Sequence, residues 1–290
     1  MSERQEVIEA FRKLKEFYAV FSEDIPGIPY LINNRESYHD EVRLFASEED
    51  AKRWCADNAE TCGRIAARKV EGQGITTFAA TLHNIGADAV VWNDGETETE
   101  LELEEAFFLP DFSKLPEEKR PLLNPSLQIS AIYFLQELRR EKEPKLSKTL
   151  PALHEEMIVN LARADYYLAG QLAEHEGKQV PVPMIMRFKD KNSGEETNVL
   201  PVCSDQLEFE KFLLVSGQLN SKDLRRFRLP FAAIAPLISE KVPKIIVNPA
   251  GINLNIDARL AKLILTQTPE PDRRKAPEPD GKDAPGSRED

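Results

Sequence analysis

Residues 245–251, Ile-Ile-Val-Asn-Pro-Ala-Gly, decide the fold class, because the same pattern also stands earlier in the chain. Residues 89–95 read Ala-Val-Val-Trp-Asn-Asp-Gly, again an apolar run that ends at asparagine and turns through glycine. A short, fully apolar run bounded by a turn predicts a central strand that is buried on both faces. Apolar alternation resumes at residues 101–103 and 252–256, which predicts a further strand after each turn.

The elements before these two strands recur in the same order, which predicts an internal repeat. Each half begins with an amphipathic helix, expected over residues 7–21 and 157–172, because apolar residues recur there at steps of three and four. A proline-containing strand, a polar turn and a second strand follow in each half. The pattern therefore predicts a helix and then a hairpin, twice over.

A serine at the end of each second strand is predicted to cap the next helix. Ser47 and Ser204 are both followed by acidic and polar residues, which suit the first turn of a helix and its dipole. Asn93 lies 46 residues after Ser47, and Asn248 lies 44 residues after Ser204. This agreement in order, residue type and spacing indicates that one unit was duplicated.

Each capped helix is followed by another strand and then by a short helix with the sequence Phe-Ala-Ala, at residues 78–80 and 231–233. Pro230 suits the first helical position of the later one. Trp54 and Phe212 are expected to face inward from the two capped helices. These elements complete the predicted unit.

The predicted fold class is α+β: two tandem units, each a small mixed sheet of about four to five strands packed with helices. The first unit is predicted over residues 1–110, and the second over residues 126–267. Residues 111–125 are expected to connect them, because residues 109–125 contain four prolines. An apolar periodicity predicts an additional helix over residues 126–140, placed between the units or extending the second.

The C-terminal residues 268–290 are predicted to be a disordered tail. From Pro269 onward the chain has five prolines and neither an aromatic nor a large aliphatic residue. Such a segment buries too little apolar surface to offset the loss of chain entropy.

Residues 200–202, Leu-Pro-Val, precede a predicted helix with an inward aromatic, and Val-Asn-Pro-Ala-Gly stands at 247–251. In this pattern the second half resembles the SseB family (enhanced serine sensitivity protein, N-terminal domain) over about residues 155–267. Cys203 stands where phenylalanine is usual, and Asp94 replaces the proline in the first half. The resemblance implies two tandem SseB-like domains, and it implies no activity or catalytic residues.

Composition excludes several classes of function. The formal net charge of −12 disfavours nucleic acid as a partner. Because no apolar run approaches the ~18–20 residues of a membrane span, no membrane association is expected. Cys55, Cys62 and Cys203 are too few for a disulfide framework or a four-thiolate zinc site, so a reducing, cytoplasmic location is expected.

The turns after the central strands are the candidate binding sites. Their residues are Asn93, Asp94 and Gly95 in the first half and Asn248, Pro249 and Gly251 in the second. Loops at the carboxyl ends of central strands bind ligands in open α/β sheets. The same residue types also form ordinary turns, because asparagine bonds its own backbone and glycine accepts a positive φ. The structural turn is the favoured interpretation, and a ligand site is the alternative.

No catalytic, metal or cofactor site is predicted. The four histidines are far apart in sequence, and none belongs to an HxH or HxxxH pattern; they are His39, His83, His154 and His175. No Gly-x-Ser-x-Gly motif occurs, and no cysteine stands in a known nucleophile context. Residues 72–74, Gly-Gln-Gly, lack the Lys-Ser/Thr of a phosphate-binding loop.

Glutamates occupy every second position from Glu96 to Glu104, which puts them on one face of a strand. The second half offers the opposite charge, at Lys222, Arg225, Arg226, Arg228, Lys241 and Lys244. A solvated face that discourages aggregation is the favoured interpretation, and docking between acidic and basic faces is the alternative.

Together these patterns predict a non-enzymatic interaction or regulatory protein that binds protein partners, with homo-oligomerisation as one form of that binding. The absence of a catalytic motif beside a repeat of structural motifs supports this hypothesis. The alternative is a small-molecule or anion sensor, or an enzyme, with its site at the Asn–Gly turns.

Overall fold

The computed structural model describes residues 3–140, 147–175, 177–189, 194, 196–221 and 223–267. Within this part the protein is α+β, as predicted. The predicted disorder of residues 268–290 lies outside the described residues.

In the first half, helices and strands alternate irregularly along the chain. The helices are α1 (Glu3–Arg12), α2 (Glu48–Cys62), α3 (Gln73–Ile85) and α4 (Leu103–Ala106). The strands are β1 (Glu16–Ser22), β2 (Ile32–Asn33), β3 (Asp40–Phe45), β4 (Ile65–Glu71), β5 (Ala89–Asn93) and β6 (Glu98–Glu102).

These strands form one mixed sheet in the order β4-β1-β3-β5-β6. β3 and β5 run parallel, and the other neighbours run antiparallel. β2 and β1 pair with the same edge of β3. β2 pairs with the first residues of β3, and β1 pairs with its last residues. The predicted central strand is β5, and its first four residues are buried, as expected.

The second half contains larger helices at its start and a similar set of strands. The helices are α5 (Pro125–Arg140), α6 (Leu150–Arg163), α7 (Gln206–Val215), α8 (Phe231–Ile234) and α9 (Ala258–Thr266). The strands are β7 (Asp165–His175), β8 (Lys178–Pro183), β9 (Met186–Lys189), β10 (Glu196–Val202), β11 (Arg225–Pro230), β12 (Lys244–Val247) and β13 (Leu254–Asp257).

The strands of the second half form two sheets, β13-β12-β10-β9 and β11-β7-β8, and across them the strand order of the first half recurs. β10 and β12 run parallel. β13 pairs antiparallel with β12, and β11 pairs antiparallel with β7. A bridge between Tyr167 and Cys203, with backbone hydrogen bonds of 2.8 and 2.9 Å, joins β7 to the end of β10. β9 pairs with the start of β10, as β2 does with β3. The order β11-β7-β10-β12-β13 thus has the directions of β4-β1-β3-β5-β6.

The two predicted N-terminal helices are wrong in their second parts. α1 ends at Arg12 and α6 ends at Arg163, and strands β1 and β7 follow almost at once. In β1 the residues that fitted a helical period, Tyr18 and Phe21, are only partly buried, whereas Phe17 and Ala19 are buried. Aromatic and β-branched side chains favour strands, and the neighbouring strands supply the backbone partners that a helix would satisfy internally.

Three smaller predictions need correction. Asp205, rather than Ser204, caps α7, because its Oδ1 accepts from the Glu208 N–H at 3.0 Å; Ser47 caps α2 as predicted. Pro230 is the last residue of β11 and precedes the first helical residue. Leu103 begins α4 instead of continuing β6. In each case the observed boundary of the helix or strand differs by one residue from the predicted boundary.

The main hydrophobic core is continuous across the two halves. It contains Phe17 and Leu82 from the first half, Ile132 of α5, and Leu161 and Ile245 from the second half. α5 packs against α3 on one side and α6 on the other. The helix predicted over residues 126–140 therefore lies between the halves. The boundaries of the two predicted units remain a prediction about folding, which the core by itself does not test.

Candidate functional site

The first predicted turn is exposed and closed by its own side chains. Asn93 Oδ1 accepts from the Gly95 N–H at 2.9 Å, and Asp94 Oδ1 accepts from the N–H groups of Glu96 and Thr97 at 2.9 and 2.8 Å. These hydrogen bonds lower the pKa of the Asp94 carboxyl. Gly95 has a φ of 100°, which glycine adopts without strain. The geometry is that of consecutive Asx turns.

The second predicted turn is buried. Asn248 is fully buried with a φ of 49°, and its side chain forms two hydrogen bonds to Ser204. Asn248 Oδ1 accepts from the Ser204 N–H, and Asn248 Nδ2 donates to Ser204 Oγ, both at 2.8 Å. The amide thus ties the end of β12 to the end of β10, which leaves it out of reach of solvent.

A buried polar network continues from this turn towards the first half. Ser204 Oγ donates to Asp205 Oδ2 at 2.7 Å, and Gln128 Nε2 of α5 donates to the same carboxylate oxygen at 2.8 Å. Asn84 Nδ2 of α3 donates to Asp205 Oδ1 at 3.1 Å. Ser204 and Asp205 are fully buried. The network therefore joins both halves through α5 and satisfies most of its buried polar groups, although Gln128 Oε1 has no hydrogen-bond partner among the described residues.

Gly251 packs closely against the side chain of Glu208. A Cβ at this position would displace Oε2 of Glu208, a carboxylate that is itself buried. Glu208 Oε1 accepts from Lys211 Nζ at 2.8 Å, whereas Oε2 has no hydrogen-bond partner among the described residues. Burial raises the pKa of the Glu208 carboxyl, and the charge of Lys211 opposes that rise.

Glu208→Gln is expected to become more stabilising relative to the wild type as the pH rises. The raised pKa means that the folded state favours the protonated carboxyl, whose contribution is complete below the ordinary value of 4.5 and is lost above the folded-state pKa. Glutamine stays neutral throughout. Urea midpoints of both proteins between about pH 4 and pH 8 measure the difference. Glu210→Gln, on the exposed side of α7, controls for lost charge. If the difference between the urea midpoints of Glu208→Gln and the wild type shrinks as the pH rises, the expectation is wrong.

The structure does not bring the two predicted turns into one site. Asn93 ends β5 in the first sheet, and Asn248 follows β12 in another sheet. Their side chains bond to different partners, as given above. Pro249 lies beside Asn248 on the same buried turn and is partly exposed. Ligand binding at these turns stays a prediction, and the observed bonds explain the residues as structural.

Within one chain, the described residues of the acidic and basic faces pair with other partners, and docking between two chains stays a prediction. Glu98 pairs with Arg43 at 2.8 Å, and Glu100 with His39 at 2.6 Å, both within the first sheet. The Glu100 hydrogen bond raises the pKa of His39. Arg228 pairs with Asp165 at 2.8 Å. Lys222 lies outside the described residues, and among those described no ion pair joins β6 to β11.

An apolar groove that the sequence did not reveal opens between α1, α3 and α4. Its volume is about 310 Å³, and apolar side chains form most of its wall, among them Phe11, Leu14, Ile75, Ala80 and Phe108. We call it the Phe108 groove. The Phe108 side chain is 84% exposed, whereas its neighbour Phe107 is buried. The exposed ring and the apolar groove adjoin one another, which makes this surface a candidate for binding.

Arg12 holds Phe108 at the rim of this groove. Its guanidinium lies 4.8 Å from the centre of the Phe108 ring. Arg12 also donates to the carbonyl oxygens of Glu105 and Glu104, at 2.7 and 2.9 Å. Because α1 is thus tied to α4, the exposed ring has a defined position.

A second cavity of about 520 Å³, the His83 cavity, shares the wall of residues 107–110 with the Phe108 groove. His83 Nε2 is buried and has no hydrogen-bond partner among the described residues. Phe112 lies 6.2 Å from the His83 ring, centre to centre. The sequence contains one signal for an exposed aromatic ring here, the pair Phe107-Phe108 after the acidic strand. Adjacent residues of an extended chain point to opposite faces, so one of the two rings is expected to face solvent.

Neither a metal cluster nor a membrane-spanning helix occurs among the described residues. No group of three or more histidine, cysteine, aspartate or glutamate side chains is arranged to hold a metal ion in residues 3–267 outside the gaps given above. In the same part of the chain, no helix has the length and apolar character that crossing a membrane requires.

Comparison with known proteins adds little. No protein-family model matches the chain, and no curated protein matches it. Among solved structures it is similar to Anabaena Tic22, a protein of protein transport, with 11% sequence identity and a TM-score of 0.19. The match covers 93% of this chain and 99% of that chain. A TM-score this low does not show a shared fold.

Proposed function

We propose that this protein is a non-enzymatic interaction module of the SseB-like family, acting in the cytoplasm, and that the Phe108 groove binds an apolar segment of a protein partner. The observation that carries the proposal is the 84% exposure of Phe108 beside an apolar groove. Pockets that bind peptides combine an apolar wall with a few polar groups that set orientation. The family assignment is supported by residues 200–202 and 247–251, which stand at the two strand ends that the family pattern describes.

The chemistry of the groove favours a short segment with aliphatic or aromatic side chains. Phe11, Leu14 and Ile75 offer apolar contacts, and they carry no charge that a partner would need to neutralise. The unpartnered Nε2 of His83, in the adjoining cavity, offers one hydrogen bond to the partner's backbone. Aromatic anchors at the centre of an interface contribute most of the binding energy in such cases.

Phe108→Ser is expected to weaken binding of an apolar peptide at least tenfold. The probe is a set of fluorescein-labelled 12-residue peptides with leucine and phenylalanine at helical or alternating spacing, each paired with a serine-substituted version. Fluorescence polarisation measures the dissociation constants, and loss of a buried aromatic contact of about 1.4 kcal/mol or more gives the tenfold change.

Leu214→Ser is the matched control, because Leu214 is 64% exposed on α7, away from the groove. It should bind as the wild type does. If no apolar peptide binds better than its serine version, or if both variants weaken binding equally, the proposed groove function is wrong. Sedimentation of the same proteins distinguishes a second copy of this chain as the occupant, since Phe108→Ser would then dissociate an oligomer.

A further inference from the structure

A third cavity, with a mixed polar and apolar lining, lies on the other side of the first half, between the sheet, α2 and α5. Its volume is about 530 Å³, within the range of small-molecule sites. Tyr30 and Trp54 form an aromatic part of its wall, and Leu153 of α6 adds an aliphatic part. Because three separate elements line it, the cavity is preformed by the fold and does not depend on one loop.

Two buried donors on this wall have no acceptor. Gln136 of α5 is 8% exposed, and its Nε2 has no hydrogen-bond partner among the described residues. Arg43 of β3 donates through its two terminal nitrogens to Glu98 and Glu41, at 2.8 and 3.4 Å, but its Nε is buried and unpartnered. A buried donor without an acceptor costs about 1–3 kcal/mol. Both groups call for an oxygen acceptor from outside the chain.

The one carboxylate of the cavity wall, that of Glu137, is already used by the chain itself. Glu137 accepts from Arg140 at 2.6 Å through Oε2, and from Ser147 and Thr149 at 2.5 and 2.9 Å through Oε1. Its carboxylate therefore has little capacity left for a ligand's donors. The wall offers donors that lack acceptors, which selects a ligand rich in acceptors.

The charges of the wall favour an anion over a neutral acceptor. Three arginines line the cavity, and carboxylates already pair with two of them: Arg140 with Glu137, and Arg43 with Glu98 and Glu41. The third arginine, Arg35, carries the charge that a ligand can use. Arg35 is exposed at the cavity and has no ion-pair partner among the described residues. A carboxylate at this position would gain a charge-assisted hydrogen bond, which is stronger than a neutral one.

We propose that this cavity binds a small organic carboxylate with an aromatic or aliphatic body, its oxygens accepting from Gln136 and Arg43 and its body lying against Tyr30 and Trp54. The site is separate from the Phe108 groove, and it does not depend on the proposed function. It would give the protein a means of responding to a metabolite, because α5 also packs against α3 and α6.

The first test is calorimetric titration of the full chain with phenylacetate, phenylacetamide and phenethylamine. These probes share a ring and differ in the charge and hydrogen-bonding of the end group. The carboxylate is expected to bind at least tenfold more tightly than the amide, and the amine is not expected to bind. Absence of saturable phenylacetate binding, or equal binding of the acid and the amine, would overturn the proposal.

Gln136→Leu separates a binding role from a structural one. Leucine removes the unpartnered donor at similar size, so the ligand-free variant should unfold at the wild-type temperature or above it, while phenylacetate binding falls at least tenfold. Gln179→Leu, an exposed change on β8, should leave binding unchanged. Wild-type affinity in Gln136→Leu would overturn the assignment of that donor.

Arg35→Gln tests the contribution of charge without touching a buried group. Phenylacetate binding should weaken about threefold to tenfold and become less dependent on salt, because an exposed cation acts through a screened field. Arg163→Gln, an exposed change on α6, is the matched control. Equal effects of the two changes would mean that the net charge of the protein, rather than this cavity, governs binding, and the proposed site would be wrong.

Discussion

Asn248→Ala should lower the free energy of unfolding by about 3 kcal/mol, although Asn248 was a candidate ligand residue. The substitution removes both hydrogen bonds to Ser204 and leaves the buried Ser204 N–H without its acceptor, which costs about 1–3 kcal/mol. Alanine at a φ of 49° adds about 1 kcal/mol of backbone strain. Urea unfolding followed by circular dichroism measures the change, with no ligand present.

Asn253→Ala is the control for backbone strain. Asn253 has a φ of 51°, close to that of Asn248, but it is exposed. Its substitution should therefore cost only the strain, and the difference between the two variants isolates the buried amide. If Asn248→Ala is as stable as the wild type, the residue has no structural role, and ligand binding at the turn becomes the better explanation for it.

Ile132→Ala should destabilise both halves of the molecule together, by about 3 kcal/mol, because it opens a cavity in a shared core. Ile132 is fully buried on α5, the helix that lies between α3 and α6. Hydrogen exchange reports the two halves separately, through the amides of β5 and β12. Protection in both strands is expected to fall by the same free energy.

Phe212→Ala gives a sharper test of the predicted units, since Phe212 belongs to a smaller cluster of the second half. Both tryptophans, Trp54 and Trp92, lie in the first half. If the chain unfolds as one cooperative unit, the tryptophan fluorescence midpoint falls in this variant. An unchanged midpoint would show instead that residues 1–110 and 126–267 unfold independently, as two separate domains.

The Phe108 groove shows why surface features escaped prediction. Nothing local distinguishes Phe107, which is buried, from Phe108, which is 84% exposed. The difference arises because α1 and α3 cover one side of the chain at this point and leave the other side open. Gln136 and Arg43 are a similar case, since 93 residues separate them in sequence and only the packing of α5 on the sheet places both on one cavity.

Local patterns were sufficient for the α+β class, for the apolar central strands β5 and β12, and for the helix over residues 125–140, because burial and periodicity act within a few residues. They were not sufficient for the ends of α1 and α6, where apolar spacing fitted both a helix and a strand until neighbouring strands supplied hydrogen-bond partners. The continuous core, the buried bonds of Asn248 and the three cavities depend on contacts between segments far apart in sequence. Those contacts form only in the folded chain, so no single segment carries the information that specifies them.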